Sequence, residues 1–254
     1  MQKLQSSLPR SSGYAEAKAA YDERMAAMSP EERARYWEEY EERKRHSDHQ
    51  DALEIQGKTL SSRIKHAGIP EQFTDAAPDR FGSSIVAYAR ALQHGGTESL
   101  IIRGDVGVGK TEAGCAILNR AVMTRPVRFI TMARFKMLVN DVYIKRERSR
   151  EDVFDEYANI SVLMIDDLGK ELTGANAANT ILLLWELIDE RSSNLRPTIV
   201  TTQYDSETLF KSLVCPDGDT ATARAICDRL KTFASAHFTG KSKRKQGRQL
   251  DLGI

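Results

Sequence analysis

Up to about His46 the apolar positions are sparse and recur at helical spacing. Tyr14, Ala17, Tyr21, Met25 and Met28 fall on one stripe. Ser29-Pro30-Glu31-Glu32 then reads as a fresh helix start. Ser29 is the N-cap, Pro30 takes the first helical position and Glu32 closes a capping box. The helix that follows carries Tyr36, Trp37 and Tyr40 on one side of a densely charged surface. Residues 1–13, with Pro9 and Gly13, read as a disordered tail, and Ser47–Lys58 as a linker.

Beyond the linker the pattern changes. Short apolar runs at Leu100–Ile102, Val127–Ile130, Val162–Ile165 and Thr198–Val200 read as buried strands, and Phe233–Phe238 as a fifth. Helical patterns separate them, including Glu112–Met123 and Ala177–Arg191. Strands alternating with helices predict a five-stranded parallel sheet flanked by helices on both faces, an α/β fold. A small helical N-terminal region precedes it. The expected division is 1–58 for the helical region and linker, 59–245 for the α/β domain and 246–254 for a tail.

The N-terminal region has few branched aliphatic residues and cannot build much of a core alone. Two readings stay open: a solvated, charged helix pair, or a partner-docking module whose aromatic residues anchor an interface.

Composition narrows the classes. The chain has 254 residues, 41% hydrophobic and 29% charged, with a net charge of +1. That is an ordinary globular make-up rather than a polycation, so any nucleic-acid contact must come from local patches. Cys115, Cys215 and Cys227 form no C-x-x-C and are odd in number, which argues against a disulfide framework or a zinc site and fits a reducing cytoplasm. No apolar run is long enough to span a membrane or act as a leader.

One motif carries chemistry directly. Gly104-Asp105-Val106-Gly107-Val108-Gly109-Lys110-Thr111 matches G-x-x-x-x-G-K-[ST], follows a predicted strand and opens a predicted helix, with Glu112 next. The glycines let successive N–H groups turn toward phosphate oxygens. Lys110 reaches the β- and γ-phosphates of ATP, Thr111 offers its hydroxyl to Mg²⁺, and the helix N-terminus favours the anion. Further along, the strand Val162–Ile165 ends in Asp166-Asp167. There Asp166 is expected to hold Mg²⁺ and Asp167 to polarise the attacking water. The strand Thr198–Val200 runs into Gln203. Were that strand to lie between the other two, the Gln203 amide would reach the γ-phosphate and orient water. Asp166-x-x-Gly169 also fits a GTPase motif, but no N-K-x-D follows. The basic run Lys145–Arg150 precedes the acidic strand, the wrong place for a kinase lid.

From Ser61 to Arg244 the chain resembles the DnaC/IstB-type AAA+ ATPases, most of all the DnaC-related loaders of replicative helicases. The landmarks are Ala67-Gly-Ile-Pro70 with Phe73, the P-loop, and Met164-Ile-Asp-Asp-Leu-Gly-Lys-Glu171. Leu187-Ile-Asp-Glu-Arg191, Arg196-Pro-Thr-Ile-Val-Thr-Thr202 and Cys227-Asp-Arg-Leu230 follow. The resemblance implies a P-loop AAA+ core and an ATP-dependent loader that places a replicative DNA helicase on single-stranded DNA. It also implies self-association, with Arg229 as an arginine finger acting in a neighbouring subunit and Arg224 as its competitor. Arg244 matches a C-terminal arginine near the nucleotide, with Lys243 and Lys245 as other counterparts. The helicase is expected to bind the N-terminal helices. Single-stranded DNA would meet Arg134, Lys136, Lys145 and Arg146, with Phe135 or Tyr143 stacking on bases. The run Lys241–Arg248 either grips phosphates or solubilises the chain end. Two departures stand out: Gln203 where the family often has Asn, and Asp167 where many AAA+ proteins have Glu. The alternatives are an IstB-like transposition helper acting on duplex DNA and an adaptor switched by ATP with negligible hydrolysis.

Overall fold

The computed structural model describes residues 27–36, 38, 59–145, 148–170, 172, 176–240 and 242. Residues 30–36 are helical, and the expected capping box closes. The Ser29 N–H donates to Glu32 Oε2 at 2.7 Å and the Glu32 N–H to Ser29 Oγ at 3.1 Å. The stripe from Tyr14 to Met25, the residues Trp37 and Tyr40, the linker and the tail lie outside the described residues.

Five strands form one sheet: β1 Leu100–Gly104, β2 Val127–Thr131, β3 Val162–Asp166, β4 Thr198–Thr202 and β5 Ala234–Phe238. Their order is β2-β3-β4-β1-β5 and every neighbouring pair is parallel. Burial follows from that order. The central strands β3 and β4 are buried throughout and read as unbroken apolar runs, while edge strands β2 and β5 are only partly covered.

The period of two along each strand divides the apolar residues between two cores. On one face Leu100, Ile102, Val162, Met164 and Ile199 pack with helices α2 (Ser83–Gln93) and α3 (Lys110–Ala121). A short helix α1 (Leu60–His66) precedes them. On the other face Ile101, Ile130, Leu163, Ile165 and Val200 meet α4 (Met132–Asn140), α5 (Arg150–Ala158), α6 (Ala177–Ser193), α7 (Ser206–Leu213) and α8 (Ala221–Leu230). Gly114 lets α3 lie close on the sheet, since a Cβ there would meet Met164 Cε at 2.4 Å.

Arg191 is fully buried with no carboxylate among its bonds. Its guanidinium donates to the carbonyls of Tyr157, Ala158, Ile160 and Pro197 and to Thr198 Oγ1, at 2.7–3.2 Å. Tyr157 and Ala158 end α5, where unpaired carbonyls carry the negative end of the helix dipole. One side chain therefore ties the end of α5 and the start of β4 to α6. No helix among the described residues is long and apolar enough to cross a membrane.

Candidate functional site

In a parallel sheet of this kind ligands bind outside the carboxyl ends of the strands. Three such ends converge here. The P-loop leaves β1, Asp166 and Asp167 close β3, and Gln203 follows β4, which does lie between β1 and β3. A cleft of about 500 Å³, a size that suits a small ligand, is lined by Val106, Gly107, Gly109, Lys110, Thr111, Glu112, Asp166, Asp167 and Gln203. Pro70, Gln72, Phe73, Phe129, Thr131 and Lys170 complete its wall.

Gly107 has φ 83°, a conformation that only glycine adopts without strain, and it lies against Ser242. The C-terminal segment thus reaches the P-loop, although Arg244 itself lies outside the described residues, as do Lys243 and Lys245. Helix α3 begins at Lys110, two positions ahead of the expected Glu112. The Lys110 ammonium donates to the carbonyls of Gly104 at 2.8 Å and Asp105 at 2.7 Å. Burial pushes its pKa down, against the pull of Asp167 and Asp166. Val108 turns into the core, whereas Val106 is exposed. Glu112 faces Arg80 at 3.7 Å.

Threonines organise the acidic end of β3. Thr111 Oγ1 donates to Asp166 Oδ1 at 2.9 Å, and Thr201 Oγ1 donates to the same oxygen at 2.6 Å. Burial raises the Asp166 pKa, and the Thr201 bond opposes that rise. Asp167 adopts φ 59° at the turn, where its N–H donates to Thr201 Oγ1 at 2.9 Å and its carboxylate accepts from Lys170 Nζ at 2.8 Å. A hydroxyl and a carboxylate side by side suit Mg²⁺, which takes few protein oxygens and completes its shell with phosphate and water. Beside them, the N–H groups at the start of α3 and the Lys110 ammonium suit the phosphates.

Arg229 stands elsewhere. It lies in the last turn of α8, ahead of β5, is absent from the lining of the cleft and pairs with Asp189. The proposed DNA residues share α4 and the single π-helical turn Asp141–Lys145 after it. Arg134 is exposed, Lys136 half-buried, and Lys145 exposed but paired with Asp141 at 2.7 Å. Tyr143 is exposed, and its hydroxyl accepts from Arg150. Arg146 lies outside the described residues.

Phe135 corrects the sequence reading. It is 1% exposed and packs edge-on against Tyr157 with ring centroids 6.5 Å apart, so it cannot stack on a base. Met132, Phe135, Leu138 and Val139 form the buried face of α4, and that helical spacing was the signal for it. Sequence reasoning also missed Thr201, Lys170 and the wall from Pro70 to Phe73. Asn119 pins that wall by donating to the carbonyls of Phe73, Thr74 and Ala76.

The model of the IstB-like ATP binding proteins matches residues 16–250. The replicative helicase loader DnaC of Escherichia coli strain K12 is 28% identical over 120 residues, 47% of this chain and 48% of that protein. The chain therefore spans about half the length of the loader relatives it matches. A putative ATP-binding protein in an insertion sequence of Mycobacterium tuberculosis is 31% identical over 182 residues, 67% of each chain. The crystal structure of DnaI shares the fold, with a TM-score of 0.57 and 20% identity over 69% of this chain and 94% of that one.

Proposed function

The chain belongs to the IstB-like ATP-binding protein family, and from that premise we propose that it is an ATP-hydrolysing loader of a replicative DNA helicase onto single-stranded DNA. The observation that carries the ATPase part is the convergence of Lys110, Thr111, Asp166, Asp167 and Gln203 in one cleft.

Each side chain has a role there. Lys110 and the N–H groups from Gly107 to Thr111 hold the phosphates, while Thr111 and Asp166 hold Mg²⁺. Bound Mg²⁺ neutralises charge on the phosphate oxygens. Asp167 accepts a proton from the attacking water and Gln203 orients that water. Lys170 keeps the Asp167 carboxylate paired until another charge competes for it. Arg229 completes the cleft of a neighbouring copy, so the active species is an oligomer.

The likeness to the DnaC loaders supports the helicase as partner, and the charged, aromatic-bearing region 1–58 is its docking module. Single-stranded DNA meets Arg134, Lys136, Lys145 and Tyr143. The longer match to the insertion-sequence protein favours a second reading, a transposition helper acting on duplex DNA.

The test is light scattering of the full chain with a host replicative helicase and ATP, repeated without residues 1–58. A complex that forms with the full chain and is lost on truncation supports the loader and its N-terminal grip. Absence of a complex with an active helicase, together with ATP-dependent binding of duplex DNA, supports the helper. Negligible hydrolysis with DNA and partner present reduces the protein to an ATP-switched adaptor.

A further inference from the structure

Arg229 precedes the amino end of β5, whereas the P-loop leaves the carboxyl end of β1. Helix α8 ends at Leu230, and the Ala234 N–H that opens β5 donates to Ser99 O at 2.9 Å, beside the first residue of β1. The P-loop leaves from the last residue of β1. A strand rises about 3.3 Å per residue, so the four steps from Leu100 to Gly104 set the two ends of β1 about 13 Å apart.

The guanidinium is held in a specific way. Asp189, near the end of α6, accepts from Arg229 Nε at 2.8 Å and from Nη2 at 2.5 Å, both through Oδ1. The Nε–Nη2 side of the fork is thereby taken. The Nη1–Nη2 end, which matches two phosphate oxygens, faces away from Asp189.

The pair is partly exposed, 46% at Arg229 and 32% at Asp189, and surface ion pairs add little to folding stability. The contact between α6 and α8 has its own apolar packing in Leu187, Ile188, Ala223, Ile226 and Leu230. Stability gives no sufficient reason for the pair, whereas orientation of a long, flexible cation does.

The geometry points to Asp189 as the positioning residue of the arginine finger: it fixes the Arg229 guanidinium by its Nε–Nη2 edge and leaves the Nη1–Nη2 end for the phosphates in the next subunit. This rests on the reading of Arg229 as a finger acting in trans. A finger that wanders loses part of the rate gained from pre-set geometry while still visiting the cleft.

The experiment uses mixed full-length chains. The acceptor carries Arg229→Ala, with an intact cleft and no finger. The donor carries Asp167→Asn, which silences its own cleft and keeps its finger. ATP turnover is followed as donor is added to saturation, with single-stranded DNA present. The unmodified finger is expected to restore turnover, and a donor that also carries Asp189→Asn to restore about tenfold less at saturation. The half-saturating donor concentration and the nucleotide affinity of the acceptor should stay the same, and D189E should recover part of the loss. Equal rescue by both donors, or a change confined to half-saturation or melting temperature, overturns the role of Asp189. No rescue by the donor with intact Asp189 overturns the trans reading of Arg229 itself.

Discussion

Thr201 Oγ1 donates to Asp166 Oδ1 at 2.6 Å and at the same time accepts the Asp167 N–H at 2.9 Å. One hydroxyl on β4 thus orients the Asp166 carboxylate and fixes the backbone of the next residue. Thr201→Val keeps the shape and deletes both bonds. The Asp166 carboxyl then loses a bond that holds its pKa down. Mg²⁺ affinity in the presence of ATP should fall about tenfold or more, as with other supports of metal ligands. Titration of Mg²⁺ against nucleotide fluorescence measures it, and an unchanged midpoint would show the hydroxyl to be dispensable.

The ion pair between Lys170 and Asp167 makes a prediction of opposite sign. Asp167→Asn should lower turnover about 10²-fold with nucleotide binding intact, since the proposed general base is gone. Lys170→Ala frees the carboxylate, and basal turnover without DNA or partner should rise severalfold. A phosphate-release assay decides. A fall in turnover with Lys170→Ala would recast the lysine as a phosphate contact.

For Lys110 the expectation concerns binding. Its ammonium is anchored to the carbonyls of Gly104 and Asp105, within the loop that grips the phosphates. Lys110→Ala removes the one cation at the start of α3, and ATP affinity should drop about 100-fold or more, read by equilibrium dialysis. Melting without nucleotide should change little beside that loss.

Arg191→Leu addresses the fold alone. The substitution strands four carbonyls and a hydroxyl that the guanidinium now satisfies. A loss of about 3–5 kcal/mol is expected by urea unfolding. Arg191→Lys should recover only part, because one ammonium cannot reach five acceptors.

At Asp205 the prediction is a pH window. Its carboxylate caps α7 by accepting the Thr208 N–H at 2.7 Å, which holds its pKa below the usual carboxylate range. A depressed carboxylate contributes stability that is present above its unfolded pKa and lost as pH falls through the folded value. Wild type should therefore melt above Asp205→Asn at neutral pH, and the gap should narrow as pH falls below the unfolded carboxyl value of about 3.9. A gap that persists in acid would assign the cap to hydrogen bonding without charge.

The central strands β3, β4 and β1 were legible because each holds an apolar run of strand length bounded by turn residues. The P-loop was legible because its chemistry is contiguous in sequence. The role of Thr201 was not. A threonine in Thr198–Thr202 reads as ordinary β-branched filler, and its hydroxyl gains meaning only from the register that sets Ile165 beside Val200. Lys170 was hidden for a related reason, since its partner Asp167 sits in a left-handed turn that no pattern of residue types announces. Phe135 was misread by chemistry against period. An aromatic between Arg134 and Lys136 suggested a stacking group, while its spacing to Met132, Leu138 and Val139 put it in the core. Arg191 stood in a recognised landmark, yet a charged residue after Asp189-Glu190 gives no hint of complete burial.

Lys110 follows the carboxyl end of β1 and Arg229 precedes the amino end of β5, so a trans role for Arg229 would make the molecule a directional link. With Arg229 acting in trans, copies join head to tail through unlike surfaces, the arrangement that gives rings or open rows rather than back-to-back pairs. An open row of n copies completes n − 1 clefts. One tip always keeps an idle cleft and the other an idle arginine. A protein that caps such a row meets chemically different tips, so it can tell the first copy from the last, and turnover per copy climbs toward its ceiling as the row lengthens.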